Sequence, residues 1–217
     1  MIEPPTLIVM AKAPCIGVGK TRLAAEIGAA EAWRVNRALQ RRTLRESRDP
    51  RWRTLLCVAP DSAVSLDFPG VWPRPVRDLR LHCHEEGVVR IPQGPGDLGA
   101  RMARALEGRR RVVMIGVDCP ALTRKHIAGA FAALKRTPFA LGPARDGGFW
   151  LIASREGWAA ARALRGVRWS TRHAAKDVLA NLGARNVAML ETLDDLDTLA
   201  DLRRWRQRSA IRASSGV

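Results

Sequence analysis

The chain has 217 residues, a 47% hydrophobic fraction and a formal net charge of +16, which fits a single α/β domain with one sizeable core. No apolar run nears the roughly 18 residues of a membrane span, and MIEPPT at the start lacks the basic and apolar regions of a signal peptide, so a cytoplasmic protein is expected. The charge invites a nucleic-acid reading. However, only five of the 37 basic residues are Lys and Tyr is absent, and the Arg clusters at 109–111 and 203–208 lack interleaved aromatics at RNA-binding spacing. A general attraction for phosphate-bearing ligands is the expectation instead.

Residues 6–11 (TLIVMA) read as a first buried strand. The loop that follows carries Lys12, Pro14, Gly17 and Gly19, and a helix then opens with Lys20-Thr21-Arg22. Backbone N–H groups and a basic helix N-terminus favour an anion there. The loop is not a Walker P-loop, because Pro14 stands where that motif needs its first glycine. Proline supplies no N–H and forbids a positive φ. Helical periodicity runs over 20–48, broken near Gly28. Residues 53–59 (RTLLCVA) form the second strand. The stretch 60–86, rich in Pro and Trp, reads as a long ordered loop holding a short strand or helix. Within it, His82-Cys83-His84-Glu85 lacks a second ligand pair at zinc spacing and reads as a polar loop. Cys15, Cys57, Cys83 and Cys119 show no C-x-x-C pairing and are expected as free thiols.

A short strand at 88–92 leads into Gln93-Gly94-Pro95-Gly96-Asp97, whose glycines permit a tight turn or a close ligand. The Gln93 amide could read a base edge, and Asp97 fits the N-cap of a helix over 98–107. Residues 112–117 (VVMIGV) are apolar or Gly throughout, the mark of a strand buried on both faces, and Asp118 follows at once. A carboxylate at such an exit either binds a ligand or cation or stands in a plain turn before the next helix. Thr123 caps a helix over 123–136 in which His126 reads as a solvated face residue. After a strand at 139–142, Asp146-Gly147-Gly148 is a hairpin-like turn before the strand 149–153, with Asp146 facing the cleft as the alternative. Helices over 156–164 and 172–182 precede a last strand at 186–191. Thr192–Thr198 (TLDDLDT) then leads a helix over 199–208. Asp195 or Asp197 is explained there by capping, or the two share a divalent ion with Asp118. The domain is read as 1–208 and the tail 209–217 as flexible.

Six segments in this order, MAKAP…GKTRL, PQGPGDLGARM, IGVDCPAL, GPARDGGFWLI, WST and DLDT, span nearly the whole chain. Together they resemble a bacterial family of small GT-A-like proteins, catalogued first as a domain of unknown function and often labelled glycosyltransferase-like or arsenosugar-biosynthesis glycosyltransferase. More distantly the chain is similar to molybdenum-cofactor and 2-phospholactate guanylyltransferases. The departures are the Pro/Trp-rich insert and Leu199, where related chains tend to have proline.

The resemblance implies a nucleotide-diphospho-sugar transferase fold, a mixed and mainly parallel sheet with helices on both faces. It implies a cytoplasmic transferase that takes a nucleotide sugar, or an NTP in a nucleotidyltransferase, and a small-molecule acceptor. Lys12, Gly19, Lys20 and Arg22 would hold the phosphates, and Gln93, Gly96 and Asp97 would approach the base. Asp118 would bind Mg2+ or Mn2+ with Asp195 and Asp197, while Asp146, Gly147 and Gly148 would line the acceptor side. The catalytic set so implied is Asp118, Asp146 and Lys20.

Overall fold

A computed structural model describes residues 4–76 and 87–214, with side chains described as far as residue 208. The strands are β1 (Thr6–Lys12), β2 (Arg53–Ala59), β3 (Arg74–Val76), β4 (Gly87–Pro92), β5 (Arg110–Ile115), β6 (Phe139–Pro143), β7 (Phe149–Glu156) and β8 (Val187–Met189). They form one sheet in the order β3-β4-β2-β1-β5-β7-β6-β8. All pairs are parallel except those of β7, which runs antiparallel to both β5 and β6. The helices are α1 (Thr21–Ile27), α2 (Ala29–Glu46), α3 (Leu98–Leu106), α4 (Arg124–Ala133), α5 (Gly157–Ala163), α6 (Ala174–Leu182) and α7 (Leu199–Ser214).

The central strands are apolar without alternation because both of their faces are covered. Leu7 and Val9 of β1 face one core with Val113 and Ile115 of β5, under Ile127 and Ala130 of α4. Ile8, between them, faces the other core with Val112 and Met114, against Met102 and Leu106 of α3 and residues of α5 and α6. A third cluster joins Leu23 of α1 and Leu39 of α2 to Leu202 of α7 and to Leu196 in the segment before it. That cluster brings the acidic segment before α7 alongside the N-terminal helices. Among the described residues no helix is long and apolar enough to cross a membrane.

Several boundaries differ from the sequence reading. The strand expected at 112–117 is β5, which starts and ends two residues earlier, although Gly116 N still donates to Trp150 O at 3.3 Å. His126 is not a solvated face residue. Its Nδ1 lies 3.0 Å from the Thr123 N–H in a capping box, and its ring meets Trp150 edge-on. The helix expected from 172 begins at Ala174, which leaves Arg172 in the preceding loop. The last helix runs to Ser214, past residue 208 where the reading ends it.

Among the described residues, the Pro/Trp-rich insert holds one 3-10 turn, Asp61–Val64, and the edge strand β3. Its anchor is Arg90 of β4, only 6% exposed. The Arg90 guanidinium donates to Pro73 O at 2.7 Å and to Leu66 O, and lies 5.1 Å from the Trp72 ring centroid. A buried guanidinium is tolerable only when carbonyls and an aromatic face replace its water. The segment with His82, Cys83, His84 and Glu85 lies outside the described residues.

Packing between α3 and α5 is close enough to require a glycine. A Cβ on Gly157 would stand 1.9 Å from Leu106 O and 2.9 Å from Arg109 O, both backbone atoms. Overpacking against backbone typically costs about 1–3 kcal/mol. Gly157→Ala should therefore lower the urea midpoint by an amount corresponding to about 2–3 kcal/mol at an unchanged m-value, read by circular dichroism.

Candidate active site

The carboxyl ends of β1, β4 and β5 open onto a cleft of about 780 Å³. A parallel sheet places ligand groups here because its loops diverge at that edge. β1 delivers Lys12, β4 delivers Gln93, and the loop after β5 delivers Gly116 and Asp118. The β6–β7 turn adds Asp146 and Gly148, and the segment before α7 adds Asp195 and Asp197.

Lys20 stands at the centre. Its side chain is 3% exposed, and its Nζ lies 2.5 Å from Asp118 Oδ1, 2.5 Å from Leu196 O and 3.0 Å from Asp197 Oδ1. An ammonium has three N–H bonds, so these acceptors use all of them. Burial alone would lower the Lys20 pKa, but Asp118 and Asp197 outweigh it and raise the value above the usual lysine range. The backbone of Lys20 is left-handed, with φ 51° and ψ 35°, a conformation that costs an L-residue about 1–2 kcal/mol. The three contacts hold it there. Asp118 O accepts from Leu196 N at 3.0 Å, so the β5 exit, the α1 tip and the acidic segment are joined at one knot.

The acidic run 192–198 divides its carboxylates. Asp194 pairs outward with Arg145 at 2.5 Å and Arg208 at 2.8 Å. Asp195 turns inward and accepts from the Cys119 thiol at 2.7 Å. Burial, followed by Asp118, Asp146 and Asp197, raises Asp195 to about 6, against the lowering effect of the Cys119 bond. Burial and the adjacent Asp195 also push the Cys119 thiol up, which keeps it a donor. Asp197 takes Lys20. Neither Asp195 nor Asp197 caps α7, contrary to the capping expectation. Thr198 does so, its Oγ1 accepting from Asp201 N at 3.3 Å while Asp201 Oδ2 accepts in return from Thr198 N at 2.8 Å.

Ten residues singled out from the sequence line the cleft: Lys12, Gly19, Lys20, Arg22, Gln93, Asp118, Asp146, Gly148, Asp195 and Asp197. Gln93 spends its amide N–H groups on Ala11 O and Cys57 O, both at 3.1 Å, which leaves only its oxygen for a ligand. Asp146 Oδ1 closes its own turn by accepting from Gly148 N at 2.8 Å, so the carboxylate serves the turn and borders the cleft together. Gly96, Asp97 and Gly147 are not among the lining residues. Asp97 caps α3 through Ala100 N at 2.8 Å. Gly147, at φ 89°, presses on Arg172, where an added Cβ would lie 2.2 Å from the carbonyl oxygen.

The sequence reading missed Arg172 and Trp169. Both line the cleft, and with Lys12 and Arg22 the Arg172 guanidinium has no carboxylate partner among the described residues. The available signal was the Trp169-Ser170-Thr171-Arg172 run. Ser170 is left-handed at φ 59°, which turns this run back over the cleft. Gly99 makes room for the indole, since a Cβ there would meet Trp169 Nε1 at 2.5 Å.

Among the described residues no three His, Cys, Asp or Glu side chains are disposed to hold one metal ion. Asp118 and Asp197 share an ammonium, and Asp195 is bound by a thiol. In this arrangement the carboxylates do not fit a divalent ion, because a cation already lies between them.

Residues 43–171 match a protein family described as an uncharacterized protein conserved in bacteria, DUF2064. A solved structure described as a candidate nucleotide-diphospho-sugar transferase, from Desulfovibrio desulfuricans G20, superposes with a TM-score of 0.76 at 24% identity, over 97% of this chain and 91% of that one. The 4-diphosphocytidyl-2C-methyl-D-erythritol synthase of Anaerococcus prevotii DSM 20548 gives 0.58 at 9% identity, over 92% of each chain. A CMP:2-keto-3-deoxy-manno-octonic acid synthetase complexed with CTP gives 0.53 at 11%, over 97% of this chain and 100% of that one. The fold is thus that of the nucleotide-diphospho-sugar transferases. Comparison with curated proteins finds no match.

The elevated pKa of Asp195 has a definite consequence for stability. The folded protein holds the Asp195 proton up to about pH 6, whereas the unfolded chain releases it near 3.9. Between those values the native state binds more protons, so this group's contribution to stability falls as pH rises and is lowest above pH 6. Asp195→Asn should gain stability relative to wild type between pH 4 and pH 7 by on the order of 2–3 kcal/mol, measured by urea unfolding at each pH.

Proposed function

The chain belongs to the DUF2064 family, and we propose that it is a cytoplasmic transferase that moves a glycosyl group from a nucleotide-diphospho-sugar to a small acceptor. The observation that carries this reading is the composition of one cleft, where the cations Lys12, Arg22 and Arg172, without a carboxylate partner among the described residues, meet the carboxylates Asp118, Asp146, Asp195 and Asp197. Unpaired cations at strand ends and at a helix tip suit a diphosphate. Carboxylates beside them suit an acceptor hydroxyl that must lose its proton. The similarity of fold to a candidate nucleotide-diphospho-sugar transferase supports the same assignment. Free Cys15, Cys57 and Cys119 agree with a reducing compartment.

In this mechanism Lys12, Arg22 and Arg172 grip the diphosphate, and Gln93 offers its free oxygen to an N–H of the base. Asp146 takes the proton of the acceptor hydroxyl through the oxygen that its turn leaves unused. The acceptor oxygen bonds to the anomeric carbon as the bond from that carbon to the diphosphate oxygen breaks, and the nucleoside diphosphate leaves. The arginines stabilise the charge that builds on its oxygens. Dependence on Mg2+ or Mn2+ belongs to this reading only with Lys20 displaced from Asp118 and Asp197.

Nucleotidyl transfer onto a phosphorylated small molecule is the second reading, favoured by the shared fold of the two synthetases above. A thermal-shift panel of UDP-, GDP-, CDP- and TDP-sugars and of NTPs, with and without Mn2+, should select one nucleotide. Phosphorus NMR of the products then separates the readings, because glycosyl transfer releases a nucleoside diphosphate and nucleotidyl transfer releases pyrophosphate. No stabilisation by any nucleotide would reject both. Asp146→Asn should lower kcat by about 100-fold or more while nucleotide affinity holds, as expected for loss of a general base. Arg172→Ala should instead weaken nucleotide binding by about tenfold or more, the scale of one charged hydrogen bond, measured by calorimetry.

A further inference from the structure

We propose that Asn36 of α2 binds a phosphoryl oxygen in the cleft, and that Trp72 of the Pro/Trp-rich insert sets the direction in which its amide points. Asn36 is only 5% exposed, yet it lines the cleft with Lys12, Gly19 and Gln40. It stands one helical turn before Gln40, so the two side chains share a face of α2.

The two ends of an amide have the same shape, and only their hydrogen bonds tell oxygen from nitrogen. Here the order is set from Trp72. An indole N–H can only donate, and Trp72 Nε1 lies 2.6 Å from Gln40 Oε1, so an oxygen belongs at that end of Gln40. Its other end is then Nε2, which donates to Lys12 O at 3.0 Å and to Asn36 Oδ1 at 3.2 Å. This turns the Asn36 oxygen toward Gln40 and its nitrogen away, toward Gly19. A Cβ built on Gly19 would stand 3.9 Å from Asn36 Nδ2. Neither N–H of that nitrogen has an acceptor among the described residues.

A buried donor without an acceptor is costly, and asparagine is a weak former of helix interiors, so packing alone gives no reason for this group. A ligand in the cleft does. The amide offers two donors there, and Lys12 adds a positive charge that has no carboxylate partner among the described residues. Donors beside a cation call for an oxygen that carries charge and no hydrogen, as a phosphoryl oxygen does. A base edge, by contrast, mixes donors with acceptors. Gly19, at φ 80°, keeps the approach to the amide free of a side chain.

The inference rests on the diphosphate part of the reading above, and adds to it a donor from α2 that is oriented from the insert. Its probe is inorganic pyrophosphate at neutral pH, titrated into the full chain labelled with 15N in asparagine alone. The chain has three asparagines, Asn36, Asn181 and Asn186. Of these, only Asn36 lines the cleft, and Asn181 Nδ2 is bonded elsewhere, to Ala163 O at 2.9 Å and Arg165 O at 3.1 Å. Asn181→Gln and Asn186→Gln each remove one side-chain amide pair from the spectrum and so assign all three. Pyrophosphate should move the Asn36 pair and leave the other two in place. Asn36→Ala should weaken pyrophosphate binding by about tenfold or more, the scale of one hydrogen bond to a charged group, measured by calorimetry. In Trp72→Phe, which keeps an aromatic ring but loses the N–H, the Asn36 pair should respond less to pyrophosphate, and an unchanged response would overturn the part given to Trp72. An Asn36 pair that stays still while wild type binds pyrophosphate, or equal affinity in a folded Asn36→Ala, would overturn the proposal and leave the diphosphate reading standing. A wild type that does not bind pyrophosphate would overturn both. If Asn36→Ala does not fold, the wild-type spectrum decides.

Discussion

The candidate site is arranged around one buried ammonium. Lys20 binds Asp118 from the β5 exit, Asp197 from the segment before α7 and the Leu196 carbonyl beside it. The two carboxylates are far apart in sequence and would repel one another without the ammonium. A buried charge is tolerated only where its hydrogen bonds are complete, and here all three N–H groups have acceptors. The third hydrophobic cluster, with Leu196 and Leu202 against Leu23 and Leu39, brings the segments together. The ammonium then sets how they meet.

Around this knot each polar residue has one structural task that limits its chemical one. Gln93 ties β4 to the carbonyls of Ala11 and Cys57 and keeps only an acceptor for the cleft. Asp146 closes its turn with one oxygen and keeps the other. Gln40 accepts from Trp72 Nε1 at 2.6 Å and donates to Lys12 O at 3.0 Å, which couples the Pro/Trp-rich insert to the end of β1. The same insert is held from beneath by Arg90. The described part of the insert is therefore fixed to α2 and β4.

Much of this was legible before any coordinates. The apolar runs at 6–11, 53–59 and 139–142, the break at Gly28, the Asp97 cap and the Asp-Gly-Gly turn follow from local rules whose causes lie within a few residues. The cleft was legible in part, since Asp118, Asp146, Asp195, Asp197, Lys20 and Arg22 all line it. The role of His126 was misread because a histidine in a helix gives no local sign of a capping box or of a tryptophan from β7. Arg172 escaped notice because its place depends on Ser170 turning left-handed and on Gly147 yielding space.

By itself the sequence determined the element types, the doubly covered parallel sheet and the acidic and basic residues available for chemistry. Each of these is written in short-range periodicity and residue type. Only the tertiary structure decided which carboxylate meets which partner. Asp194 goes to arginines, Asp195 to a thiol and Asp197 to an ammonium. The physical reason is that neighbouring aspartates are chemically identical along a chain. Their burial and partners come from segments more than seventy residues away in sequence for the thiol and from the opposite end of the chain for Lys20.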